Sequence, residues 1–401
     1  MRIIHISDIH FDERRQLAGE VRVDAEGRNH ALVSTARCVE AIREQALAAG
    51  QVDLWCVTGD VFDSPVPTPL EERAAIEAIE AMAGSAPVVV LSGNHDVPAA
   101  GAGATALECL KVRRNIHVVE APRVLTLQAG GVTVSVVCVP YPRRAELVAL
   151  APDGSREERN ALASQILRGI LQGLRVQAAN NSPGSVLVAL YHGSLDGATV
   201  GAQPRTISND VALSPADFGG FAYAGCGHIH RMQRLAPNVY YAGSPDRVDF
   251  DEEADYKGGL DVTISAAGVL EAVRPIASEP RVYVTARPEH LAAANDTWTA
   301  GGTVYRVKGE VMQSEAVEIR RRVAELAAAG VWISASALRV VSEIRTRDEL
   351  ASADETVAAF LERWLTANPA HVEEAATVTG TEPADIAAAV LDLNTEIAGG
   401  A

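Results

Sequence analysis

Short, nearly unbroken apolar runs recur through the first 275 or so residues, at Arg2–Ser7, Asp53–Thr58, Pro87–Leu91, Val132–Val139, Ser185–Tyr191 and Phe221–Gly225. Runs this short and this rich in Val, Ile and Leu predict strands covered on both faces. Between them, Ala31–Ala49, Leu70–Ala83 and Glu157–Ala178 repeat apolar positions every three or four residues, the spacing of a helix that buries one stripe. Strand and helix in alternation predict a layered α/β domain. Several runs stop in a polar cluster: Ser-Asp-Ile-His, Gly-Asp-Val-Phe-Asp, Gly-Asn-His-Asp and His-Gly-Ser. A layered α/β enzyme presents its chemistry at the carboxyl ends of its strands, so these clusters are the first candidates for a site.

The pattern changes near residues 277–287. Thr303–Val311 predicts a strand, Ser314–Ala329 a helix and Val331–Ile344 further strand, together a small α/β unit. From Asp354 onward nine Asp or Glu face the single Arg363. Two helical stretches, Thr356–Thr366 and Pro383–Ile397, are split there by Asn368-Pro369 and Gly380-Thr381. Neither is long enough to hold a helix alone in water, so each needs a surface to dock on.

Length supports the same division. At 401 residues the chain exceeds one comfortable core, and three parts are expected: 1–275, 276–348 and 349–401. No apolar stretch reaches the length of a membrane span, and no signal-peptide pattern follows Met1, so a cytoplasmic location with no membrane association is expected. The five cysteines lie far apart, and Cys56, Cys138 and Cys226 fall in apolar runs, which predicts buried side chains rather than disulfides or a zinc knuckle. A net charge of −17 argues against coating nucleic acid by bulk electrostatics. It leaves room for a metal-dependent nuclease, because bound cations reverse the sign at a carboxylate site.

The donors arrive in a fixed order. Asp8 and His10 stand two apart after the first strand, where period-two alternation is expected to throw both to one face. Asp60 follows Gly59, which permits a tight turn as the strand stops. Asn94 and His95 follow the run ending at Leu91, His192 follows Tyr191, and His228 and His230 close the set, again two apart. Five of the ten histidines fall in these fragments; His5, His30, His117, His290 and His371 are expected to serve packing or surface roles. Carboxylate, amide and imidazole donors without thiolate suit manganese, iron or zinc better than calcium. Seven donors exceed the demand of one ion, and two ions about 3.5–4 Å apart with a shared carboxylate account for them.

The order Asp-x-His, Gly-Asp-x-x-Asp, Gly-Asn-His-Asp, His, Gly-His-x-His resembles the calcineurin-like metallophosphoesterase superfamily. More narrowly, Gly59-Asp60-Val61-Phe62-Asp63-Ser64, Gly227-His228-Ile229-His230-Arg231 and Tyr241-Ala242-Gly243-Ser244-Pro245 look like the SbcD family of DNA repair nuclease subunits. The resemblance implies a four-layer α/β/β/α sandwich with a small α/β DNA-capping domain and C-terminal helices. It implies one metal on Asp8, His10, Asp60 and His230, and a second on Asp60, Asn94, His192 and His228, with Asp60 bridging. The ions are expected to be Mn2+, with Mg2+, Fe2+ or Zn2+ as alternatives. His95 is implied to face the substrate phosphate as the catalytic side chain.

The activity implied by the resemblance is that of a manganese-dependent 3'-5' double-strand DNA exonuclease with single-strand endonuclease activity, acting in repair, recombination or replication. The resemblance adds an SbcC-like ATPase gripped by the C-terminal helices, through residues such as Phe360 and Trp364, and a homodimer. The competing readings are a small-substrate phosphodiesterase acting on cyclic nucleotides or phospholipid head groups, and an interaction subunit with a vestigial metal site. Asp63 and Asp96 are secondary candidates, the first for positioning, the second as a brace for a ligand or for His95, each against a plain turn role. Arg320, Arg321 and Arg322 lead the candidate DNA contacts, ahead of Arg14-Arg15, Arg113-Arg114 and Arg143-Arg144.

Overall fold

A computed structural model of the chain describes residues 1–98, 104–142, 154–200, 211–291, 298, 301–341, 363–369, 371–373, 376, 381–382, 384–386 and 388. The chain divides into two compact units, one made of Met1–Lys308 with Arg320–Ala337, the other of Gly309–Ile319 with Leu338–Ala401.

In the larger unit the pleat sorts each strand's side chains into two cores. Ile4, Ile6, Trp55, Val57, Val88 and Val90 join the side chains of helices His30–Ala48 and Pro69–Ala83. Their alternate neighbours Ile3, Leu54, Cys56, Val89 and Leu91 turn the other way, onto Val134, Val136, Cys138, Val188 and Leu190 of a second sheet. Beyond that sheet, Val137, Val139, Ala189 and Tyr191 pack with Leu167 and Leu171 of helix Arg156–Asn181. The result is helices, sheet, sheet, helix. Apolar residues on both faces are the reason the strands read as continuous runs.

The first sheet has the order Leu270–Ala277, Gly258–Ile264, Arg2–Ile6, Leu54–Thr58, Val88–Leu91, Ile116–Val119, parallel from Arg2–Ile6 onward. The second runs Gln233–Ala236, Val239–Tyr241, Tyr223–Gly227, Val186–His192, Val132–Val139, Arg123–Ala129. Its central pairs are parallel, aligning the carboxyl ends of Val186–His192 and Tyr223–Gly227. A two-residue Gly130-Gly131 loop, both glycines at positive φ, closes the Arg123–Val139 hairpin.

The strands and helices expected from the hydropathy pattern up to residue 341 are present with ends shifted by up to three residues. The edge strands Arg123–Ala129 and Gln233–Ala236 and the pair Gly258–Ile264 and Leu270–Ala277 escape that pattern. Arg123–Ala129 and Leu270–Ala277 are half exposed and show no continuous apolar run. A three-stranded sheet comes next in the chain, with Val282–Ala286 parallel to Thr303–Val307. Tyr283, Val304 and Trp332 share a small core with Leu17 and Ala31. All five cysteines are free, and four are buried. In the smaller unit Glu310 pairs with Arg339 at 2.6 Å, and Val372 and Ala376 are buried. Most of the two acidic helical stretches lies outside the described residues, as do Arg143 and Arg144. Among the described residues, no helix is long and apolar enough to cross a membrane.

Candidate metal centre

Five central strands from the two sheets end around one cluster of donors. The backbone there is unusual: among the described residues six non-glycines have positive φ, and Asp8, His10, Asp60 and His228 are four of them. Non-glycine residues avoid this region, and such strain concentrates at functional sites. It also corrects the expected origin of the Asp8–His10 pairing. Strand Arg2–Ile6 has already stopped, and two left-handed residues in the following loop, rather than pleat alternation, bring the side chains together. That loop is tied down by Asp8 N–H to Gly59 O and His10 N–H to Asp60 O, both 3.0 Å. Gly59, at φ 92°, meets the tight-turn expectation, and a Cβ there would collide with the His192 ring.

Asp8, His10 and His230 present donor atoms within 4.8 Å of one another, and so do Asp60, His192 and His228. Asp60 lies between the groups, its Oδ2 3.4 Å from His192 Nε2 and 3.8 Å from His10 Nε2. Asn94 Oδ1 lies 3.1 Å from His192 Nε2 and 2.8 Å from His228 Nδ1. All seven residues expected as ligands therefore meet in one place. His95 is beside them, its ring 4.8 Å from that of His10, and its N–H donates to Asp60 Oδ1 at 2.8 Å.

The second nitrogen of each ring decides what the first can do. His192 Nδ1 donates to Thr58 O at 2.6 Å, and His230 Nδ1 to Glu252 Oε1 at 2.6 Å. His10 Nδ1 lies 3.0 Å from Asp63 Oδ1, close but poorly aligned for a hydrogen bond. With Nδ1 of His230 carrying its hydrogen, the His230 Nε2 lone pair faces His10 Nε2 at 3.0 Å. The lone pair of His192 likewise faces two oxygens. Acceptors aimed at acceptors are repulsive unless a cation or a proton lies between them, so the donor set fits metal ions. The fold implies divalent ions, and the chemistry of the donors agrees.

In the absence of metal, protons take that place. Burial lowers the His192 pKa, but the charge and hydrogen bond of Asp60, then Asp8, outweigh it and hold the ring up at about 9. Below that pH His192 carries a proton that a metal must displace. Metal affinity is therefore expected to fall as pH drops below about 9, with release of about one proton at this ring near neutrality. Titration calorimetry with Mn2+ in two buffers of different ionisation enthalpy checks this; identical heats would contradict it.

The secondary candidates have definite surroundings. Asp63 accepts from Arg15 Nη2 at 2.8 Å, and its backbone oxygen faces His95 Nδ1 at 2.9 Å. Asp96 is buried and braces the loops through backbone rather than through a ligand or His95, accepting N–H from Phe62 at 3.0 Å and Gly93 at 2.8 Å. Burial first, then the charge of Asp60, raises its pKa to about 7. Arg15 is held by Asp12, Asp63 and the carbonyl of Val248, and Arg113 by Glu80. Arg321 and Arg322 both reach Glu325. His5 is a packing residue, hydrogen-bonded to Tyr223 and Thr58 at 2.8 Å each.

Sequence reasoning missed Glu252 and Tyr141. Tyr141, just after strand Val132–Val139, flanks the second group with its ring 5.8 Å from His228 and 6.1 Å from His192. Glu252 lies in an acidic run, Asp249–Glu253, which has no spacing to mark one member.

A two-sheet sandwich with this donor set at its strand ends defines a metallophosphoesterase. The chain belongs to the calcineurin-like phosphoesterase family, which matches residues 1–232, and within it to the SbcD type. It is similar to the SbcD subunit of the SbcCD nuclease of Rhodobacter capsulatus, 30% identical over 322 residues, 73% of this chain and 75% of that one. It is also similar to the corresponding SbcCD nuclease subunit of Bacillus subtilis, 26% identical over 267 residues, 63% of each chain.

Proposed function

We propose that the protein is a metal-dependent DNA nuclease, with one ion on Asp8, His10, Asp60 and His230 and the other on Asp60, Asn94, His192 and His228. Mn2+ is the proposed metal. When bound, two such ions supply an activated water and neutralise charge growing on the phosphoryl oxygens. His95 anchors Nδ1 on the Asp63 carbonyl, which leaves Nε2 to stabilise or protonate the departing oxygen. An SbcC-like ATPase partner, held by the C-terminal segment, and a homodimer belong to the same proposal, with roles in repair and recombination.

One observation carries the choice of DNA over a small ester. A cleft of about 870 Å³ opens beside His228 and His230; Asp249, Asp251, Glu253 and Asp255 line it together with Arg231, and Arg306, paired with Asp251 at 3.7 Å, and Lys308 enter it from strand Thr303–Met312. Cations removed from the reacting centre suit a substrate with further phosphates along its backbone. Arg320–Arg322 are a secondary proposal for the same role. Replacing Arg306 and Lys308 together by Gln is expected to weaken duplex binding and to lower the salt slope by about two. An unchanged slope removes them from the interface. The activity itself is tested by giving the Mn2+-loaded protein linear duplex, hairpin DNA and a small phosphodiester, with and without the ATPase. Preference for the small ester overturns the nuclease reading.

A further inference from the structure

Glu252 is bound on every side. One carboxylate oxygen meets His230 Nδ1 at 2.6 Å; the other accepts Val248 N–H at 3.0 Å and faces Lys257 Nζ at 2.7 Å. The Lys257 side chain is wholly buried and also donates to His230 O at 3.0 Å and Ser244 Oγ at 2.8 Å. A buried ammonium persists only where its charge is matched and its hydrogens are bound, and Glu252 matches the charge. The short turn that carries Glu252 is pinned through its neighbours. Phe250 packs edge-on to Tyr283 at 4.7 Å, Arg306 stacks over Phe250 at 4.6 Å, and the Glu253 carboxylate accepts Thr285 N–H at 3.0 Å.

From this geometry we infer that Glu252, held by Lys257, is a positioning residue for His230. It fixes the hydrogen on Nδ1 and turns Nε2 toward His10 and Asp8, a role that rests on the reading of His230 as a ligand of the first ion. A carboxylate behind a ligating imidazole also raises its basicity, and losing such a partner typically costs about 10- to 100-fold in metal affinity.

The test uses full-length protein. Glu252→Ala is expected to weaken the first Mn2+ event in calorimetry by about 10- to 100-fold while leaving the second within a few-fold. Glu252→Gln, which keeps an acceptor for Nδ1–H, is expected to lose less, and it serves where the alanine variant fails to fold. Ring 15N shifts of His230 in metal-free protein at alkaline pH give a readout independent of activity. They are expected to report Nδ1–H in the parent and in Glu252→Gln, and to move toward Nε2–H in Glu252→Ala. His230→Ala separates the two readings. If it leaves both ions bound, the ligand assignment fails. If it removes the first ion while Glu252→Ala changes neither affinity nor tautomer, the positioning role fails.

Discussion

Replacing Asp60 by Asn is expected to remove both metal ions at once. Its Oδ2 lies 3.8 Å from His10 Nε2 and 3.4 Å from His192 Nε2, one from each half of the donor cluster. Burial works against its charge, but His192 foremost, then His10 and His95, hold its pKa well below the usual carboxylate range. Asparagine keeps the shape and discards the charge that the proposed pair of cations would share. Metal ions contribute several kcal/mol to stabilising the transition state of such reactions. At about 1.4 kcal/mol per factor of ten, the loss in turnover is expected to reach about a thousandfold or more. Calorimetry with Mn2+ should lose both binding events together. One ion retained at full affinity would show that Asp60 serves a single site.

His95→Gln separates chemistry from metal binding. The ring lies beside His10 and shares a group of close donor atoms with His10 and Asp63, but its Nδ1 is spent on the Asp63 carbonyl. Loss of a positioned proton donor typically costs about 10²- to 10⁴-fold. Turnover on DNA should fall within that range while two Mn2+ ions still bind. The His95 backbone N–H to Asp60 is common to both proteins, so the Asp60 carboxylate keeps that support. Near-normal turnover in the metal-loaded variant would remove His95 from the reaction. Metal lost along with turnover would make it a ligand instead.

Much of the centre is legible in the sequence because metal ligation restricts residue type so severely. Asp8, His10, Asp60, Asn94, His228 and His230 each follow a strand, and His192 ends one, where an apolar run stops. The sandwich is legible for a related reason: strands buried on both faces cannot alternate with polar residues, so Val88–Leu91 and Val186–Tyr191 announce themselves. Strand Arg123–Ala129, half exposed, does not. Glu252 and Lys257 are illegible because an acidic side chain in an acidic run has no local signature. Their roles come from contacts with His230, 22 and 27 residues away in the chain. For Asp96 the sequence indicates the right neighbourhood and the wrong contacts, since its oxygens are filled by backbone N–H groups that only the folded loops bring near.

The sequence by itself determined the donor chemistry, the order of the donors at strand ends and the layered architecture, since residue type and hydropathy period are local properties. Only the tertiary structure decided which donors share a half-site, which nitrogen of each imidazole faces inward, and which carboxylates stand behind them. Asp8 and His228 are 220 residues apart, yet the His228 N–H donates to the Asp8 carboxylate at 2.9 Å. That distance is set by the packing of two sheets and by left-handed turns at Asp8, His10, Asp60 and His228. Lone-pair directions follow from those positions, and no spacing along the chain encodes them.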